Sequence, residues 1–333
     1  MSTTPVSPSL SRGRSENSPE ILGTEAQRLQ TDDTTAISST AVTEFLQRTK
    51  IPIGTVQPAT KAVVEERVLA GAKQWHEKGL SASRYEPHYT TSINMATVAY
   101  GHTHVDVQVQ IALFTLLALC VDDLQVSREA LEAFSTNLYT GAPQLDPVLN
   151  CLIDNLTHMP EFFLPYASKS IVVATIEFVN ATLFDMDTSG MTLHDAALPY
   201  VEYKRLRNAL GGAYGFFVWD KFSFPDVSVH IQVIPETMIF LNYANDILSF
   251  YKEELAGERD NYIHDRSRIT KEGVPAVLKH VVQEVVASVD RAREILKGEK
   301  EKETWERFLA AYVAYHYMSP RYRLAELVAA DSL

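Results

Sequence analysis

Apolar residues recur at intervals of three and four along most of the chain, and no convincing two-residue alternation interrupts them. That spacing places them on one face of an α-helix rather than on one face of a strand. The chain therefore reads as all-α. From Ala59 to Lys78 the stripe is Val63, Val64, Val68, Leu69, Ala72 and Trp75, with Pro58 before it and Gly79 after it. Further helices are predicted over 92–100, 105–125, 127–139, 144–157, 161–184, 194–210, 228–255, 274–296, 302–317 and 321–330. The 105–125 segment is apolar nearly all round, as a central helix is. Gly211, Gly212 and Gly215 allow close packing or a local break. Pro235 lies inside the 228–255 run and predicts a kink there, because proline lacks the N–H that the helix ladder needs. Asp226 or Ser228 is the candidate N-cap of that run.

Residues 1–40 carry little apolar material to offset the entropy of ordering, so a disordered arm is expected there. Residues 41–333 show no Pro/Gly/Ser-rich seam and are expected to form one helical domain. The chain has 333 residues, 46% of them hydrophobic and 22% charged, which is ample for a large core. Its net charge of −12 argues against a general nucleic-acid surface. Cys120 and Cys151 give neither a disulfide framework nor a zinc pattern, so a reduced, cytoplasmic setting is expected. The first residues lack the apolar stretch of a signal peptide. The run Ile111 to Val121 is too short to span a bilayer, so no membrane partner is expected.

Chemistry concentrates in Asn245-Asp246-Ile247-Leu248-Ser249-Phe250-Tyr251-Lys252-Glu253. Asn245, Ser249 and Glu253 stand four residues apart, and each such step drifts only about 40° around a helix axis. An amide oxygen, a hydroxyl and a carboxylate then share one face. All three suit a hard divalent cation such as Mg²⁺. One carboxylate in three ligands is a weak cage, so further oxygens must come from elsewhere, and substrate phosphates are the usual source. A second acidic pair, Asp122-Asp123, ends the most apolar helix. Two adjacent carboxylates there need water, a basic partner or a metal, and the helix dipole adds to the penalty. The bland reading of each cluster is a solvated helix face or a helix end.

Together the two clusters resemble the paired signatures of class I terpene cyclases, and most closely those of the fungal trichodiene synthase family. Asp122-Asp123 fills the first two places of that family's D-D-x-x-D/E motif. Asn245, Asp246, Ser249, Lys252 and Glu253 match its N-D-x-x-S-x-x-K/R-E motif. Gly257-Glu258-Arg259-Asp260-Asn261 resembles the run that follows. Arg321-Tyr322 resembles the basic pair that grips diphosphate. Tyr203-Lys204-Arg205-Leu206-Arg207-Asn208 resembles the region of the diphosphate-sensing arginine, with Arg205 preferred over Arg207. One departure is plain: Val126 stands where the third acid of the first motif belongs, and Glu129 falls off the expected face.

The resemblance implies an all-α class I terpenoid synthase bundle with a central apolar cavity and three Mg²⁺. It implies Asp122, Asn245, Ser249 and Glu253 as metal ligands, and Arg205, Lys252, Arg321 and Tyr322 as the catalytic donors to diphosphate. Asp123 is either a ligand or the ion-pair partner of Arg321. The implied reaction is ionisation of farnesyl diphosphate and cyclisation of the carbocation to a sesquiterpene hydrocarbon or alcohol. The expected partner is this small isoprenoid diphosphate, with a homodimer left open. Candidates to line the cavity are Phe114, Phe184, Phe216, Phe217, Trp219, Tyr243, Trp305, Tyr312 and Tyr315, each of which could equally be plain core. His102 and His104 read as structural. The alternatives are a chain-elongating prenyl synthase and a silent helical isoprenoid-binding or scaffold protein.

Overall fold

The structure is a computed structural model that describes residues 25–327 apart from 55, 124 and 209, with residues 25–32 described by backbone alone. Among these residues the regular structure is helical throughout. In chain order the α-helices are α1 (Glu25–Thr49), α2 (Lys61–Trp75), α3 (Ala82–Tyr85), α4 (Tyr89–Asn94), α5 (Val105–Asp122), α6 (Arg128–Thr140) and α7 (Pro147–Thr157). They continue with α8 (Pro165–Thr188), α9 (Leu198–Asn208), α10 (Gly211–Phe217), α11 (Ile234–Ala256), α12 (Tyr262–Thr270), α13 (Val274–Ile295) and α14 (Glu299–Met318).

Helix α5 lies inside the bundle, packed against α2, α4 and α7. It and α8 are long and apolar enough to cross a membrane, but 72% of α5 is covered by the other helices. Their wide apolar surface is the mark of core helices as much as of membrane spans. Helix α11 packs against α13, α10 and α1, and α14 packs against a five-residue π-helical stretch, Met95–Ala99, that continues α4. Trp219, Trp305, Phe114, Phe240 and Phe308 are fully buried in the apolar core.

Several expectations are corrected. Residues 25–40, part of the expected disordered arm, are helical; residues 1–24 lie outside the described part. Ser38, Ala41, Val42, Phe45 and Leu46 are buried, and α1 lies along α13 and α11. Ser39 Oγ donates to the Leu327 carbonyl at 3.0 Å, tying the first helix to the last turns. The apolar positions of α1 are sparse in a Ser/Thr-rich segment, and tertiary packing overrides that weak propensity. Pro235 makes no kink, because α11 begins at Ile234 and the proline sits in its first turn, where the missing N–H has no partner to lose. Residues Val227–Val229 and Ile231–Val233 form separate 3₁₀ turns, the first capped by Asp226. The helix expected over 321–330 is instead two 3₁₀ turns up to Glu326, and 328–330 lie outside the described residues. Helix α12, capped by the Asn261 side chain, has no counterpart in the predicted elements.

Candidate active site

Helix α11 ends cleanly at Gly257, whose φ of +74° is a left-handed cap that glycine adopts at no steric cost. Its last three turns carry Asn245, Ser249 and Glu253 on one line. The line opens on a polar mouth of about 350 Å³. Asp122, Arg205, Lys252, Arg321 and Tyr322 border the same mouth. Eight residues from α5, α9, α11 and the turn after α14 thus converge, although they are scattered over two hundred positions of sequence. The mouth leads to an inner chamber of about 230 Å³, and Asp122, Arg205, Asn208 and Asn245 border both spaces.

Arg205 is held from two sides. Its Nη2 lies 2.9 Å from Asp246 Oδ1, its Nε donates to Asp246 Oδ2 at 3.0 Å, and Nη2 also donates to the Asn242 carbonyl at 2.8 Å. Such a fork orients a guanidinium in a way that a lysine could not reproduce. Burial drives the Asp246 carboxyl up, and the guanidinium pulls it partway back, to about 6. Arg207 points elsewhere and pairs with Glu177. The alternative sensor is therefore remote from the mouth.

The oxygen donors fit a divalent cation. Ser249 Oγ is buried and has no hydrogen-bond partner, a loss of about 1–3 kcal/mol unless a ligand supplies one. Asn245 turns its Nδ2 toward His316 Nε2 at 3.3 Å, which leaves the amide oxygen for the mouth. Glu253 is steadied by Asn261 Nδ2 at 3.0 Å and lies 3.4 Å from Lys252 Nζ. Among the described residues no three His, Cys, Asp or Glu side chains gather into a cage of their own. A cation here would need further oxygens, from water or from a ligand. The Asp122 carboxyl is raised, first by burial and then by Asp123, while Arg321 opposes the shift. A cation would relieve that repulsion.

Asp123 does not meet Arg321. It faces His88 Nε2 at 3.4 Å, and Arg321 is exposed with no ion pair among the described residues. The two carboxylates stand on consecutive residues at the frayed end of α5, so they diverge and only Asp122 reaches the mouth. Val126 is buried at 2% exposure, so the position of the missing acid is a core position here. Glu129 is exposed on α6, away from the mouth.

Sequence reasoning assigned no role to Asp185, Asn208 or Asp260, which also border the mouth, although Asn208 and Asp260 lie in the two runs that carry the resemblance. Asp185 and Asp260 both approach Lys204 Nζ at 3.8 Å. Asp185 belongs to no motif, and the convergence of α8, α9 and the α11–α12 turn brings it beside Lys204. Of the nine candidate aromatics, Tyr312 borders the chamber, together with Phe178 and Tyr214, which were not among them. Phe114, Phe217 and Trp305 are packed in the core. His102 is half-buried with its Nε2 3.1 Å from the Val218 carbonyl, and His104 caps α5. Neither borders the mouth.

Residues 72–332 match the family model described as trichodiene synthase. The chain is 34% identical to Monoterpene synthase 25 of Postia placenta, over 93% of this chain and 92% of the relative. It is 31% identical to Terpene synthase BipA of Cochliobolus sativus, over 80% and 82%. Among solved structures it resembles the linalool/nerolidol synthase of Streptomyces clavuligerus, with a TM-score of 0.60 at 16% identity over 80% of this chain and 98% of that one. An α-eudesmol synthase superposes with a TM-score of 0.58 at 13% identity, over 80% and 96%. These structural likenesses establish a shared all-α fold, while the sequence matches extend through every segment that reaches the mouth. The chain is a terpene synthase and belongs to the trichodiene synthase family.

Proposed function

We propose that this terpene synthase is a Mg²⁺-dependent sesquiterpene cyclase that ionises farnesyl diphosphate and closes the resulting carbocation into a ring. The observation that carries the proposal is the junction of two unlike spaces. A polar mouth with cationic side chains and oxygen donors opens into a chamber of mixed lining, where Met95, Ala118, Phe178, Leu241 and Tyr312 add an apolar wall to the polar Asn208 and Asn242. An allylic diphosphate has this same division into a charged end and an apolar chain.

Asp122 on one side and Asn245, Ser249 and Glu253 on the other would hold the metal ions, three by family likeness. Bound Mg²⁺ would neutralise charge on the leaving diphosphate. Arg205, Lys252, Arg321 and Tyr322 would donate to its oxygens, and Arg205 is already oriented by Asp246. Preset donors stabilise charge that develops as the C–O bond breaks, with little reorganisation at that moment. The chamber would fold the chain and exclude bulk water. The rings of Tyr214, Tyr312 and Phe178, which border it, would stabilise positive charge within it.

A chain-elongating synthase would normally bring a second aspartate-rich motif, where this chain has Asn245, Ser249 and Glu253. A silent isoprenoid binder would draw its support from Val126. The test is incubation of the pure protein with farnesyl diphosphate and Mg²⁺, followed by gas chromatography–mass spectrometry of the extract. Geranyl and geranylgeranyl diphosphate run in parallel, the former because one relative is named a monoterpene synthase. A cyclic C15 product that disappears with a chelator is expected. Glu253→Gln and Asn245→Ala should each reduce turnover about 10²–10³-fold with the fold intact, the scale of a lost transition-state contact. A C10 product alone would move the substrate assignment. No diphosphate release from any of the three would refute the enzyme reading.

A further inference from the structure

Asn261 stands where the chain turns back onto the line of Asn245, Ser249 and Glu253. Helix α11 ends at Gly257, residues 257–260 are exposed, and Asn261 is the first half-buried residue after them. It borders the mouth and is the N-cap of α12. Its Oδ1 accepts from the His264 backbone N–H at 3.0 Å, and its Nδ2 donates to Glu253 Oε2 at 3.0 Å. These two contacts fix the amide's orientation, because a backbone N–H can only donate and a carboxylate can only accept. They also dictate the residue type. Serine, threonine and aspartate cap a helix too, but asparagine alone among the good caps sets an N–H beside its capping oxygen. The gap that the amide spans is held independently of it. His264 on α12 pairs with Glu254 on α11, and the Tyr262 ring stacks on Tyr243 at 5.2 Å.

We infer that Asn261 is a positioning residue for divalent-cation binding: its amide locks the side chain of Glu253, so that the one carboxylate of the α11 line is aimed before a cation and a diphosphate arrive. This rests on the proposed role of Glu253 as a metal ligand. A free glutamate side chain loses rotamer entropy when it is fixed on a ligand. With the Asn261 donor in place, that ordering is complete in the folded protein. Partners that orient a ligating side chain typically change metal affinity about 10–100-fold when removed. One side chain thereby fastens the start of α12 to the last turn of α11 and sets the carboxylate at the mouth. Lys252 Nζ, 3.4 Å from Glu253 Oε1, lies on the other oxygen and leaves the Asn261 contact undisturbed.

The probe is Mg²⁺ with inorganic diphosphate, titrated into the full chain by calorimetry, with urea denaturation in the absence of metal alongside. The wild-type protein is expected to bind diphosphate only when Mg²⁺ is present. Asn261→Ser keeps a capping oxygen and loses the donor. Its urea midpoint should stay near wild type while its half-saturating Mg²⁺ concentration rises about tenfold. Asn261→Asp has the same shape and an equal cap but sets a second carboxylate against Glu253, so it should lose at least as much. Because Asn261 acts through Glu253, adding Asn261→Ser to Glu253→Gln should weaken Mg²⁺ binding by no more than about a further twofold. Three results would each overturn the inference and leave the cyclase reading standing. They are an unchanged Mg²⁺ requirement in whichever variants are folded, a lowered one in Asn261→Asp, and a full additional loss in the double variant. An affinity loss matched by a fall in the urea midpoint would mark a helix cap alone and overturn it as well. Absence of Mg²⁺-dependent diphosphate binding in the wild type would overturn the metal site itself.

Discussion

At the scale of the residue, Arg205 and Arg207 show how two similar side chains two positions apart acquire different fates. Arg205 faces α11 and is clamped by Asp246 and the Asn242 carbonyl, whereas Arg207 faces α8 and pairs with Glu177. On a helix, residues two apart point in nearly opposite directions. Arg205→Lys keeps the charge but loses the fork, so kcat/KM should fall about 10–100-fold, the scale of one or two charge-assisted hydrogen bonds. Arg207→Lys should leave kcat/KM within about twofold, since its pair is exposed and of little worth. Steady-state kinetics on both variants decides the assignment, and equal losses would reject it. The preference for Arg205 was legible in the sequence from its motif region. Asp246 as its partner was not, because that contact joins residues 41 positions apart.

At the scale of the element, α9, α11, α12 and α13 are tied by one polar strut. Glu202 accepts from Tyr243 Oη at 2.6 Å and from Tyr262 Oη at 2.8 Å. Arg266 donates to Tyr262 Oη at 2.8 Å and pairs with Glu284. The two tyrosine rings stack at 5.2 Å. Glu202 is one turn from Arg205, and Tyr243 is two residues from Asn245, so the strut sets the spacing between sensor and metal face. Glu202→Leu leaves two hydroxyls without their charged acceptor and should destabilise the fold by about 2–4 kcal/mol. Tyr262→Phe, which removes one hydroxyl, should cost about 1 kcal/mol. Urea denaturation measures both, and a Glu202→Leu midpoint equal to wild type would refute the strut. Most helix cores were legible because their apolar stripes are strong. Helix α12 was not, since it has nine residues, few of them apolar, and is held by the Asn261 cap and this strut.

At the scale of the whole molecule, two histidines outside the mouth, His102 half-buried and His230 buried, bind folding to pH. His102 meets the Val218 carbonyl at 3.1 Å and has Arg307 and Asp220 nearby. His230 stacks on Trp219 at 5.0 Å, with neither ring nitrogen hydrogen-bonded, and has Asp226 and Glu301 nearby. Burial lowers each imidazole to about 4 from an ordinary 6.5. A base whose folded value is depressed binds its proton more readily when unfolded. Stability from these groups is therefore complete above about pH 6.5 and is lost as pH falls toward 4, by several kcal/mol in total. The urea midpoint should drop between pH 7 and pH 5. His230→Phe, which preserves the stack, should flatten that slope, and an unchanged slope would rule out the histidine as its source.

The sequence by itself determined the helical class, the family and the line Asn245, Ser249, Glu253. Each is written in local spacing, and a helix converts local spacing into a shared face without help from the rest of the chain. Eight of the side chains that border the mouth were legible too, but only through likeness to a family. Tertiary structure alone decided which of two adjacent aspartates reaches the mouth, since the end of α5 turns Asp123 to His88. It also decided that α1 is part of the core, that Asp185 and Asn208 border the mouth, and that the Asn242 side chain is buried against Gly211. These outcomes depend on which helices meet and at what depth. A one-dimensional pattern gives the faces, but packing chooses their partners.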